Sequence, residues 1–427
     1  MNNKSYLIFW FSQMVSQLGS AMTTYALTLW SFGMTGHAMT VSSLMLCSWR
    51  PFVRLSPFAG VLVDRLPKKR LLLLSDTVTA CGTLCALLLV RAGVLRLWHI
   101  SLLNALAGAM SAIQCSASAV AVGLLVPKEH LPRVAGLRGF SNSAVGLFAP
   151  MLAAGVFGFW GLDAVILCDL LSFCFALCCL LFLVHIPETP SPGVMQIKES
   201  MHEGFRFLRS IPGLRVLIGY MALVNLLAQV TYENILSPML LARSGSVRTA
   251  GTVSSMIGFA GIIGGMFVAG SRRRKDPVLL VFGAAAVSFL LGDLLLGAGR
   301  SLSCWLVAGF TASFPVPFIQ AGQHVLYYGI IPRELQGRVF AAVNSLQTST
   351  VPIGLLLGGF LADRVFEPLM ASGIPLAQIL ARIVGTGRGS GMAVMFLCTG
   401  TLGFLLSILC GCSRAVRTLA QQVQELE

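Results

Sequence analysis

Apolar runs of roughly 20 residues, the length a helix needs to cross a bilayer, recur along this sequence between short polar turns. Twelve can be placed, at 6–33, 39–63, 71–90, 97–126, 139–160, 164–186, 215–241, 250–270, 277–298, 303–331, 339–366 and 391–412. One longer polar connection, 187–214, follows the sixth run. It opens with Pro187, Pro190 and Pro192 and then offers a short amphipathic helix with Ile197, Met201, Phe205 and Leu208 on one face. The pattern predicts an all-α polytopic membrane protein with 12 transmembrane helices in two six-helix bundles, 1–186 and 215–412. A cytoplasmic linker occupies 187–214 and a cytoplasmic tail 413–427.

An internal repeat supports that division. Asn142-Ser143 precedes Pro150 in the fifth span as Asn344-Ser345 precedes Pro352 in the eleventh, an offset of 202 residues. The basic turn Lys68-Lys69-Arg70 has a counterpart in Arg272-Arg273-Arg274 at an offset of 204. Two near-equal offsets indicate duplicated, pseudo-symmetric halves.

Polar side chains inside such spans are expensive, so their placement is informative. Gln13, Ser16, Gln17, Ser20 and Thr24 form a stripe along the first span, and Asn104, Ser111, Cys115 and Ser118 another along the fourth, with Gln114 beside them. Asn225, Gln229 and Glu233 step by four along the seventh beside Tyr232, and Gln320, Gln323, His324, Tyr327 and Tyr328 mark the tenth. Glu233 has two readings: a proton acceptor or cation anchor, and a carboxylate solvated at the outer interface. Arg50 and Arg54, one turn apart in the second span, read as a contact for an anionic group, as a gate paired with a neighbouring acid, or as a snorkelling structural pair. Structural pairing or solvation is expected for Asp169 and Asp293, a hydrogen bond to Gln320 for His324, and for Asp76 an ion pair with the basic turn before it.

Composition narrows the class. The 427 residues are 56% hydrophobic and 11% charged, against about 25% charged in soluble domains, which excludes a single globular core. The net charge of +14 sits in turns and not on one polar face, so nucleic acid is not expected. Basic clusters at 65–70, 128–138, 198–215, 272–275 and 414–417 fall on one side, and single arginines such as Arg91, Arg243 and Arg300 on the other. The positive-inside rule then puts both termini in the cytoplasm, across the cell's inner (plasma) membrane. No signal-peptide cleavage site follows Met1–Lys4, so the first helix is expected to be retained. The 12 cysteines lack metal-type spacing and read as packing residues. No nucleophile elbow or phosphate-binding glycine loop is evident, so no enzyme, metal or cofactor is expected.

Between the second and third spans the sequence reads Gly60-Val-Leu-Val-Asp64-Arg65-Leu-Pro-Lys68-Lys69-Arg70. This resembles the loop 2–3 signature of the major facilitator superfamily of transporters, at the place where that family carries it. The second copy is degenerate, with no acid where Asp64 maps. The stretch from Gly146 through Pro150 to Gly155 is similar to the glycine–proline motif of the antiporter members, with Ala149 where a glycine is expected. The outer end of the eleventh span, Gly359-Phe-Leu-Ala-Asp363-Arg364-Val-Phe-Glu367-Pro-Leu-Met370, looks like that of the macrolide-efflux-like drug:proton antiporters. So do Arg338-Val-Phe upstream and Ser56-Pro-x-Ala-Gly60.

The resemblance implies a fold in which spans one, four, seven and ten line a central cavity. It also implies proton-driven export of amphipathic, often cationic, drugs or macrolide-like compounds by alternating access. Together with the polar stripes it points Gln13, Gln17, Asn104, Gln114, Asn225, Gln229, Gln320 and His324 to the cavity and Glu233 to proton coupling or cation binding. Gly60, Asp64, Arg65, Lys69 and Arg70 become a cytoplasmic gate, and the cavity tyrosines stack on substrate. The proton gradient stands in place of a cofactor. The implied partners are a small molecule, protons and the lipid bilayer, with a monomer as the working unit. One rival keeps the fold and exports a siderophore or other anionic metabolite held by Arg50 and Arg54, or flips a lysolipid. Another is a ligand sensor on a transporter scaffold.

Overall fold

The computed structural model describes residues 3–125, 131–184, 206–270, 276–332 and 335–426, and the regular structure among them is entirely helical. Backbone polar groups in lipid must be satisfied within the segment, which long apolar helices achieve. The chain forms α1 (Asn3–Thr35), α2 (Ala38–Arg65), α3 (Lys68–Arg91), α4 (Leu97–Leu125), α5 (Leu131–Trp160) and α6 (Leu162–Cys178, extended by a π turn Cys179–Leu183). Next come α7 (Pro212–Ala228, a π turn Gln229–Glu233, then Leu236–Ser244), α8 (Val247–Gly270) and α9 (Leu279–Ala298). They are followed by α10 (Leu302–Ser313 and Val316–Ile330) and α11 (Gln336–Phe360, a π turn Leu361–Phe366, then Glu367–Ala371). The last three are α12 (Pro375–Val384), α13 (Ser390–Gly411) and α14 (Arg414–Leu426).

Ten of these helices are long and apolar enough to cross a membrane, and they correspond to the third through twelfth predicted spans. Helices α1 and α2, with 33 and 28 residues, supply the first two; the polar stripe and the arginine pair dilute their apolar character. Large apolar side chains such as Phe58, Phe182 and Leu409 stay exposed, as a lipid-facing surface requires.

The chain divides into two compact units, Met1–Val194 with Ala250–Ser255, and Met195–Thr249 with Met256–Glu427. In the first, Tyr6, Phe9, Leu71, Leu72 and Leu180 form one buried cluster and Met22, Leu87, Ala153 and Ile166 another. In the second, Leu217, Phe282, Leu326 and Val339 pack together. Pro150 and Pro352, the repeated prolines, both lie inside helices, α5 and α11.

Three findings lie beyond the hydropathy pattern. The tail expected at 413–427 contains helix α14, whose Val416, Leu419 and Val423 are buried in the second unit's core. A short helix, α12, stands between α11 and α13; Arg243 from the end of α7 and Arg300 after α9 donate to its terminal carbonyls, Arg243 to Val384 and Arg300 to Arg382 at 2.7 Å. The linker residues Ile197, Met201 and Phe205 lie outside the described residues; Leu208 is described and is buried on the second core.

Helices α2 and α4 meet backbone to backbone. A β-carbon added at Gly108 would stand 1.9 Å from the Ser48 carbonyl oxygen. Close approach through small residues is how membrane helices gain packing energy, there being no hydrophobic drive between them in lipid. Gly108→Ala should therefore destabilise the protein by about 1–3 kcal/mol, read as a lower unfolding temperature in detergent. Gly219→Ala, where nothing lies within 4 Å, should leave that temperature unchanged or raise it, since alanine favours helix over glycine.

Candidate functional site

The polar stripes separate into groups with different tasks. On α1 and α4, Gln114 Nε2 donates to Gln13 Oε1 at 3.1 Å and to Asp76 Oδ1, on α3, at 2.6 Å. Asp76 is 1% exposed, and the Gln114 amide meets it, not the basic turn. The expected ion pair is therefore replaced by a hydrogen bond from an amide. The physical reason lies in helix geometry: Asp76 is about two turns into α3, beyond Lys68, Lys69 and Arg70. Lys69 points elsewhere and donates to the carbonyls of Leu181 and Val184, at 3.0 and 2.8 Å, where α6 ends. A lysine there satisfies carbonyls the helix leaves unpaired. Arg70 is exposed; the surroundings of Gly60 and the side chains of Asp64 and Arg65 lie outside what is described.

The asparagines serve as staples between helices. Asn104 Nδ2 donates to the Leu44 carbonyl of α2 at 3.0 Å. Asn225 Nδ2 donates to the Gln347 carbonyl and to Thr350 Oγ1 of α11, at 2.9 and 2.7 Å. A β-carbon on Gly354 would stand 2.5 Å from the Gln229 β-carbon, so Gln229 lies against α11 as well. Asn225, Gln229 and Glu233 step by four along α7, and a π turn spans Gln229–Glu233. Asn225 and Gln229 are half-buried while Glu233 is exposed. Gln17, Gln320 and His324 are exposed too.

The tyrosines correct a further expectation. The Tyr232 hydroxyl donates to Asp293 Oδ1 on α9, and its ring meets Phe396 of α13 edge-on at 5.5 Å. Tyr327 is 3% exposed and accepts from Gln323 Nε2 at 3.0 Å. Both are committed inside the second unit, since a phenol in an apolar setting takes the nearest polar partner; the side chain of Tyr328 lies outside the described ones. Asp293, 1% exposed, also accepts from Thr399 Oγ1 at 3.0 Å. Asp169, 2% exposed, accepts from Ser20 Oγ at 3.2 Å. Both acids are thus paired with hydroxyls, not solvated. Thr399 carries no signal in the sequence, being a lone threonine in an apolar run.

Arg50 and Arg54 are exposed, with no hydrogen bond or ion pair to a described residue. Glu367, from the family-like end of the eleventh span, accepts from the Met392 N–H at 3.1 Å and caps the start of α13. A cavity of about 500 Å³ lies between α9, α13 and α14, bordered by Asp276, Phe282, Ser407 and Arg417; it touches none of the predicted site residues.

Long apolar helices that carry polar and acidic groups on selected faces define a multi-span membrane protein. The chain belongs to the Major Facilitator Superfamily, whose family model matches residues 9–355, and it is a transporter and not an enzyme. It is 27% identical to Macrolide efflux protein A of Streptococcus pyogenes, across 97% of each chain. It is 22% identical to Multidrug efflux pump Tap of Mycolicibacterium fortuitum, across 84% of this chain and 89% of that one. Among solved structures, the nucleoside transporter NupG matches with a TM-score of 0.69 and 12% identity, covering 95% of this chain and 98% of that one. A bacterial homologue of the iron transporter ferroportin matches with a TM-score of 0.69 and 14% identity, covering 97% and 100%. At these identities the solved structures speak to the fold alone.

The Asp293 cluster makes a checkable prediction. Tyr232→Phe and Thr399→Val each strip one donor from a buried carboxyl, so each should destabilise the protein by about 1–3 kcal/mol. In Asp293→Leu, which removes the acceptor, Tyr232→Phe should cost markedly less. Thermal unfolding of the four variants in detergent gives that coupling, and additive effects would contradict the cluster.

Proposed function

We propose that this transporter is a proton-driven exporter of amphipathic compounds, macrolide-like molecules among them, working by alternating access. The observation that carries the reading is Glu233, an acid exposed on a π turn inside a membrane helix, next in sequence to Tyr232 of the Asp293 cluster. Ionisable groups within membrane segments are functional by default, and π turns often mark functional positions. The relatives, a macrolide efflux protein and a multidrug efflux pump, support export as the direction.

In this mechanism Glu233 exchanges a proton for a cationic or amphipathic cargo, while Gln17, Gln320 and His324 offer hydrogen bonds from exposed positions. Gln13 and Gln114, bonded to each other in the first unit, act through Gln17 on α1. Asp64 and Arg65 form a cytoplasmic gate with Gly60 and Arg70, and the Lys69 grip on α6 holds that turn in place. The protein works as a monomer in the plasma membrane, with both termini cytoplasmic.

A second reading has its own support. Two exposed arginines within a membrane helix, free of described partners, suit an anionic metabolite or a lipid phosphate.

Uptake of a radiolabelled macrolide by inverted vesicles, with and without an uncoupler, tests the first reading. A gradient of one pH unit is worth about tenfold in accumulation per coupled proton. The uncoupler should abolish accumulation, and Glu233→Gln should lower it by about that factor. No uptake by vesicles that contain folded protein would overturn the macrolide assignment. Uptake of an anionic probe that Arg50→Gln removes would put the second reading in its place.

A further inference from the structure

Among the buried polar atoms of the first unit that lack partners among the described residues, two belong to side chains of one cluster: Asp76 Oδ2 and Gln13 Nε2. Gln114 donates to the other Asp76 oxygen and to the Gln13 carbonyl oxygen, so the three side chains form one cluster. An ionised carboxylate this deep needs a donor on each oxygen, and a buried carboxylate oxygen without one carries the full desolvation cost. Gln13 lies one helical turn from exposed Gln17 on α1, which gives the cluster a polar route outward.

From this geometry we infer that Asp76 Oδ2 is a proton-binding site, on which a proton and the Gln13 amide alternate. With the carboxyl ionised, Gln13 Nε2 donates to Oδ2 and both oxygens are satisfied. When a proton arrives, the O–H bond forms at Oδ2, the carboxyl becomes neutral and the Gln13 amide is released toward Gln17. Protonation is thereby coupled to the arrangement of the α1 polar stripe. A metal cation fits poorly, because the Gln114 amide points N–H groups into the cluster.

Among the described residues no ion pair fixes Asp76 in one form. Gln13 faces it from α1 and Gln114 from α4, whose Cys115 is exposed. On α6, Asp169 is turned to Ser20, and Asp163 lies in that helix's first turn. On α3 itself, Ser75 and Thr79 donate to backbone carbonyls, and Lys69 is held by Leu181 and Val184.

Used as a coupling site, Asp76 rests on the proton-driven reading above; the proton site itself does not. The direct test is an infrared pH titration of the purified full-length protein in nanodiscs without substrate. A carboxylic-acid carbonyl band should titrate in the wild type and be lost in Asp76→Asn. In Gln13→Leu, which removes the competing donor, the same band should titrate at higher pH. Should Asp76→Asn not fold, Gln13→Leu and Asp76→Glu must still shift that band. A spectrum identical in all variants overturns the inference, and so does a titration that sodium displaces and choline does not. In vesicles, Asp76→Asn should lower gradient-driven macrolide accumulation by about tenfold per pH unit. Wild-type uptake that ignores the uncoupler would sink proton-driven export while leaving the infrared titration standing. A missing band would sink this site and leave export standing.

Discussion

Three carboxyl groups are sealed into the helical body of this protein, and among the described residues none has a cation beside it. A carboxyl in that setting demands donors of fixed geometry, because no water competes for it and an unmade bond is costly. Each acid therefore ties its own helix to another. Asp76 ties α3 to α4, Asp169 ties α6 to α1, and Asp293 ties α9 to α7 and α13. In every case an acid on a helix with few polar residues meets a polar partner on a neighbouring helix. Gln114, Ser20, Tyr232 and Thr399 are thereby bound up as internal wiring, which leaves fewer side chains to meet a substrate.

The apolar packing around these clusters works by close approach. Gly108 on Ser48, Gly354 on Gln229 and Gly400 on Asp293 let helices come near enough for side-chain donors to reach across. Where α7 widens into a π turn at Gln229–Glu233, Asn225 and Gln229 are half-buried and Glu233 is exposed. The Lys69 clamp on the end of α6 gives the basic turn a structural task beside its topological one.

Much of the architecture was legible before any coordinates. The helical spans and the paired prolines follow from hydropathy and repetition, because a bilayer imposes one length and one backbone solution on every crossing segment. Family membership was legible for the same reason a turn signature is: Gly60 through Arg70 is contiguous. The polar stripes were also visible, since a polar residue in lipid is conspicuous on its own.

The partner of each polar residue could not be read this way. Whether Asp76 meets Lys69 or Gln114 and whether Tyr232 faces a substrate or Asp293 depend on residues far away in sequence. Helices α12 and α14 escaped notice because they are short and amphipathic, and their apolar faces have meaning only against the helices they cover. The sequence alone determined that these helices cross a membrane, because burial in lipid is a property of each segment by itself. Tertiary structure decided which polar groups are spent on one another and which stay exposed, because a hydrogen bond needs two ends and the chain specifies only one of them locally.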